Sequence, residues 1–175
     1  LSAAGSVVLL RTRIANNYAG SYGYASAGGL SVGTGEVTLI SCDVRSNTAK
    51  AERYPDGDPA ATEAYGGGIS VFEGTLRLVN TVVSNNRVQA AGSLGSRQEG
   101  GGLYARDGTV IIAVSTVVNN TGGSGLYIEI DNNAKTSSHE SEANVSNSIV
   151  WGNTSGIDLT QAVGATVSYS LVQGG

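Results

Sequence analysis

Apolar residues recur at every second position in short runs along this chain, as in Leu76-x-Leu78, Val110-x-Ile112, Ile69-x-Val71 and Thr81-x-Val83. Alternation of this kind puts successive side chains on opposite faces of an extended segment, the period of a half-buried strand, and the β-branched content agrees. No stretch carries apolar residues at helical spacing over three turns. The predicted elements are therefore short strands throughout.

The runs also repeat. Gly67-Gly68-Ile69 opens a block that continues through Gly74-Thr75-Leu76-Arg77-Leu78 to Val83-Ser84-Asn85-Asn86. Gly28-Gly29-Leu30 opens the same block 39 residues earlier, closing at Asn47, and Gly101-Gly102-Leu103 opens it 34 residues later, closing at Asn120. Self-similarity at a period of about 20 to 50 residues marks a solenoid, whose units bury an apolar face only against their neighbours. Each unit holds three short strands: one after the glycines, one after the Gly-Thr-Val type turn, one before the asparagine. Val7–Leu9 and Thr12–Ile14 fit the second and third strands of an opening unit that lacks its first. Gly125–Ile128, Val145 and Ser148–Asn153 supply a later unit, with 132–141 as an inserted polar loop, and Ile157–Leu159, Ala165–Val167 and Ser170–Val172 a last one. That makes about six units in one domain over residues 1–175, each strand pairing in parallel with its equivalent one unit away.

The segments Gly66-Gly67-Gly68-Ile69-Ser70-Val71, Asn147-Ser148-Ile149-Val150-Trp151-Gly152-Asn153 and Tyr169-Ser170-Leu171-Val172-Gln173-Gly174-Gly175 resemble repeats of the right-handed parallel β-helix family. That family includes pectate-lyase-like polysaccharide enzymes, polymorphic outer-membrane-type repeats and large bacterial surface proteins. The resemblance implies an all-β, right-handed parallel β-helix of triangular section, placed outside the cell or on a bacterial outer surface. It implies a structural, adhesive or assembly module; the alternative is a carbohydrate-binding β-helix, or one that degrades polysaccharide as a lyase or glycoside hydrolase. In the enzymes the substrate groove runs along the outer face of the first strands.

In those strands Leu30, Ile69, Leu103, Leu126 and Ile157 point inward, so Ser31, Ser70, Tyr104, Tyr127 and Asp158 point outward, as do Gly33, Phe72, Arg106, Glu129 and Thr160 two residues on. Phe72, Tyr104, Arg106, Tyr127, Glu129 and Asp158 are thus expected to share one solvent-facing strip, walled on one side by loops over Thr48 to Tyr65 and Arg87 to Glu99. Aromatic plates beside charged groups suit a sugar ring, which offers an apolar face and hydroxyls. The same rings also fit a plain cross-strand ladder. A hydrolase would need paired carboxylates and a lyase a calcium-binding carboxylate cluster with a base; no such pairing accompanies Glu129 and Asp158, so no catalytic residue is assigned. Asp56 and Asp58 read as a plain turn or a loose cation site, and no cofactor is assigned, calcium being the one alternative.

Two further columns emerge from the alignment of units. Asn17, Asn47, Asn86, Asn120 and Asn153 close successive units, and stacked amides can bond to one another and to the backbone of the bend. Thr12, Cys42, Thr81, Ser115, Ser148 and Ser170 point inward as small core filler. On the third strands Val82, Ile149 and Leu171 face outward near Val118 and Trp151, a candidate interface. The lone His139 falls in the polar insertion with no partner at metal spacing. Ten Lys and Arg against a net charge of −4 leave no basic stripe for nucleic acid, and no apolar run of 18 residues is present to span a membrane. A single cysteine excludes an internal disulfide. Neither end carries a polar cap, which points to a piece of a longer solenoid or to self-association end to end.

Overall fold

The computed structural model describes residues 2, 3, 5–55, 61–91, 95–130, 141–159, 162 and 164–173. Among these there is no helix, and every strand pairing is parallel. Five sheets result. The first contains Ser2–Ala3, Leu30–Val32, Ile69–Phe72, Leu103–Arg106, Ser124–Glu129 and Ser155–Asp158. The second contains Ser6–Leu10, Glu36–Ile40, Thr75–Val79, Thr109–Ala113, Glu142–Ser146 and Gly164–Ser168. The third contains Arg13–Ala15, Asp43–Arg45, Val82–Ser84, Thr116–Val118, Ile149–Trp151 and Leu171–Val172. The fourth joins Tyr18–Tyr22, Thr48–Glu52 and Arg87–Ala90, and the fifth joins Tyr24–Ser26, Glu63–Tyr65 and Arg97–Glu99. The chain visits the first, second and third sheets in that order six times, and after each of the first three visits it also passes through the fourth and fifth.

Two expectations are corrected here. Residues 48–65 and 87–99 are not loops alone: they carry strands of the fourth and fifth sheets, so three of the repeats hold five strands rather than three. The opening unit does have a first strand, Ser2–Ala3, paired with Ser31 and Val32. Its two small residues carry no apolar signal. The polar insertion over 132–140, with His139, lies outside the described residues, as do Asp56, Asp58 and Thr160.

The core is the inward face of the first three sheets. Leu30, Val32, Val37, Leu39 and Val44 are fully buried, as are Ile69, Val71, Leu76, Leu78 and Val83 one rung on, and Leu103, Val110, Ile112 and Val117 after them. Each such side chain contributes about 1.5–3 kcal/mol relative to exposure. Register holds without slip because a one-residue shift would turn this whole set outward; Leu76, for example, lies between Val37 and Val110.

The bends between strands are single residues in the left-handed region. Arg11, Ser41, Asn80, Val114, Asn147 and Tyr169 all have φ between 48° and 55°, and they line up at the corner between second and third sheets. Asn16, Ser46, Asn85, Asn119 and Gly152 repeat the device after the third sheet. Nine of these bends, all but Gly152 and Tyr169, bond their N–H to the next rung, as in Ser41 to the Val79 carbonyl at 3.0 Å and Val114 to the Ser146 carbonyl at 3.1 Å, so the ladder is not interrupted at those corners. The block-opening glycines have a separate cause. A Cβ on Gly68 would stand 2.7 Å from the Gly102 carbonyl oxygen and 2.8 Å from Nδ2 of Asn86, which leaves no room for any side chain.

Candidate functional site

The outward positions of the first sheet come together as two neighbouring columns. Ser31, Ser70, Tyr104, Tyr127 and Asp158 are successive partners in one, and Phe72, Arg106 and Glu129 in the other. They do not form a solvent-facing strip. Tyr104 is 0% exposed, Tyr127 7%, and Phe72, Arg106, Glu129 and Asp158 are each half-buried. The expectation of open aromatic plates is therefore wrong. The cover comes from the fifth sheet, joined to the first through the tight glycine bends at Gly66 and Gly100, both at positive φ. Ala25 and Ala64 of the fifth sheet pack with Ala51 and Val88 of the fourth in a small second core. Ser26 and Tyr65, on the other face, lie against the first sheet; Ser26 donates to Ser70 Oγ at 3.0 Å.

What this closes is an aromatic and ionic cluster. Tyr65 lies 4.5 Å from Tyr104 between ring centroids, and Tyr104 stacks on Tyr127 at 5.9 Å with 10° between planes. Phe72 and Tyr24 flank the stack at 5.7 Å each. Arg97 sits 5.6 Å over the Tyr65 ring, and Arg106 5.2 Å over Phe72. Arg97 also grips Glu129 with both terminal nitrogens, Nη1 to Oε1 and Nη2 to Oε2 at 3.2 Å each, while the Tyr104 hydroxyl donates to Oε2 at 2.8 Å.

Both oxygens of Glu129 thus accept hydrogen bonds within the cluster. Burial, then the bond to Glu129, keeps the Tyr104 phenol protonated far beyond the usual tyrosine range. Burial does the same for Tyr65, with the Arg97 charge working against it. Burial also raises the carboxyl of Glu99; Arg97 opposes this, and Asp158 and Glu129 add to it. The arrangement can hold two sheets together; it offers no exposed nucleophile or base. Among the described residues no three His, Cys, Asp or Glu side chains gather as metal ligands.

Tyr65, Arg97, Glu99 and Tyr24 complete the cluster and carried no signal as site residues. Two of their strands, Tyr24-Ala25-Ser26 and Glu63-Ala64-Tyr65, alternate through alanine, and small apolar residues give the weakest form of the period-2 pattern.

The asparagine column is a continuous ladder. Oδ1 of Asn47 accepts from N and Nδ2 of Asn17, and the same pair of bonds recurs from Asn47 to Asn86, Asn86 to Asn120 and Asn120 to Asn153, at 2.9–3.0 Å. The second amide hydrogen goes to a strand carbonyl of the preceding rung, such as Val44 for Asn86. A parallel ladder runs through the small column. The N–H of Thr81 donates to Ser115 Oγ, that of Ser115 to Ser148 Oγ and that of Ser148 to Ser170 Oγ, each at 3.1 Å. Cys42 occupies one rung, buried, with its sulfur accepting from Thr12 N at 3.4 Å. On the third sheet Val82, Ile149 and Leu171 are exposed, with Thr116 between the first two in register.

No family model, curated protein or solved structure matches this chain. Among the described residues no helix is long and apolar enough to cross a membrane.

Proposed function

We propose that the chain is a right-handed parallel β-helix and that it works as a non-catalytic structural module, for extension, display or assembly, outside the cell or on a bacterial surface. The sixfold passage through three parallel sheets supports the winding, and crossover connections between parallel strands are right-handed in about 98% of cases. The observation that carries the function is where the polar chemistry goes. The asparagines and the hydroxyl column bond along the stack, and the Arg97–Glu129–Tyr104 cluster bonds between two sheets, so all of it is turned toward the molecule itself. The cell-surface location rests on the family resemblance of the repeats.

The sheet edges support the assembly reading. Ser6–Leu10 and Arg13–Ala15 form one edge of their sheets, Gly164–Ser168 and Leu171–Val172 the other. Edge strands present unpaired N–H and C=O groups to any further strand, whether of the same polypeptide or of a second copy. Sedimentation velocity over a concentration series tests this: the wild type should associate into elongated species. Val7→Lys, which points a charge into the end of the core, should suppress them. A concentration-independent monomer, or release of sugars from a panel of polysaccharides, refutes the reading.

A further inference from the structure

The outer face of the fourth sheet carries a second set of aromatics. Tyr18, Gly20 and Tyr22 alternate on its edge strand and stand in register with Thr48, Lys50 and Glu52. The Tyr18 ring lies over Gly20, so close that a Cβ there would run into the ring. Tyr54 lies over Gly23 in the same way and stacks on Tyr22, with centroids 6.1 Å apart and 27° between planes. Tyr18, Tyr22 and Tyr54 remain 61%, 51% and 41% exposed. A ring packed against glycine backbone is already placed, so less ordering is needed to receive a ligand.

Between these rings is an open cleft of about 260 Å³, lined by Tyr18, Gly20, Ser21, Tyr22 and Glu52. Glu52 is held by Lys50 at 2.8 Å, which places a carboxylate acceptor and an ammonium donor side by side at its rim. We infer that this cleft binds a neutral saccharide, with the apolar face of a pyranose on the tyrosines and its hydroxyls on Glu52 and Lys50. Aromatic platforms answer the C–H face of a sugar, and the polar rim answers its hydroxyls. A nucleic acid fits worse, because the Lys50–Glu52 pair offers phosphate no net positive charge. An acidic polysaccharide fits worse for the same reason. The inference is independent of end-to-end assembly.

Native affinity electrophoresis tests it, using gels containing hydroxyethyl cellulose, xylan, glycol chitin or dextran, followed by titration with the hexasaccharide of whichever polymer retards the protein. Retardation by at least one is expected. Tyr18→Ala and Tyr22→Ala should each weaken the hexasaccharide by roughly tenfold, the scale of one lost stacking partner. Gly20→Val should weaken it by displacing the Tyr18 ring, while Tyr104→Phe, in the closed cluster, should leave it unchanged. Circular dichroism establishes that each variant is folded. No retardation by any of the four polymers, binding that survives both tyrosine substitutions, or retardation only by polygalacturonate or DNA would overturn the assignment.

Discussion

Tyr104 donates its hydroxyl to Glu129 Oε2 at 2.8 Å, and this bond ties two adjacent strands of one sheet while Arg97 ties the same carboxylate to another. Glu129→Gln keeps the shape and removes the charge facing Arg97. It should cost about 1–3 kcal/mol, toward the lower end because the Arg97 side chain is 37% exposed. Tyr104→Phe should cost about 1 kcal/mol. Urea denaturation of both single variants and the double variant should show coupling, since the two share one oxygen.

The buried phenols set the alkaline limit. Tyr104 and Tyr65 bind their protons more tightly in the folded state than in the unfolded one. The stability they contribute is therefore complete below the unfolded value of about 10 and declines as pH rises past it. Ultraviolet difference titration should show part of the phenolate signal withheld until the protein unfolds, and Tyr104→Phe should shrink that part.

Glu99 acts with the same sign at acid pH. Its carboxyl is raised by burial, so its contribution is complete below the ordinary glutamate value of about 4.3 and is lost as pH rises through the folded value. Thermal melts from pH 4 upward should lose less stability in Glu99→Gln than in the wild type.

Rungs of the asparagine ladder should differ in weight. Asn86 is fully buried, and its side chain accepts from Asn47 and donates to Val44 and Asn120. Asn86→Ala strands those groups and should cost roughly 3–5 kcal/mol, whereas Asn17→Ala, exposed and bonded only onward to Asn47, should cost under about 1 kcal/mol. Equal losses in denaturant unfolding would contradict the ladder.

Val114 is the β-branched occupant of a left-handed column that holds Asn80 and Asn147 at equivalent corners. Its side chain is 59% exposed, so little burial is lost on replacement. Val114→Asn should raise stability by about 1 kcal/mol, measured as a higher denaturation midpoint with an unchanged slope.

The strands of the first three sheets were legible because large aliphatic residues alternate in them, and Leu76, Leu78 and Val83 point inward where the period put them. The parity of Tyr104 and Tyr127 was legible too, but their burial was not. Period 2 says which face a side chain takes and is silent about what packs on that face. The covering strands alternate through Ala25 and Ala64, and the strand beside them through Ala49 and Ala51, whose small apolar signal is easily read as loop. The corner residues escaped notice for a related reason: Asn80 and Asn147 advertise a left-handed bend, whereas Arg11, Val114 and Tyr169 are held there by the geometry of their neighbours.

Successive rungs of the asparagine ladder are separated by 30, 39, 34 and 33 residues, and the last step of the hydroxyl ladder by 22, yet each spans one strand spacing of about 4.8 Å. Height in this molecule is counted in rungs, not in residues. Added sequence between Glu52 and Glu63, or between Ala90 and Arg97, would widen the molecule and leave its axial dimension untouched. Loss of a single residue within Thr75–Val79 would reverse inside and outside for the remainder of that strand. Insertions and deletions of coding sequence are therefore tolerated or ruinous according to where they fall, and the segments between sheets can diversify while the strand spacing stays constant.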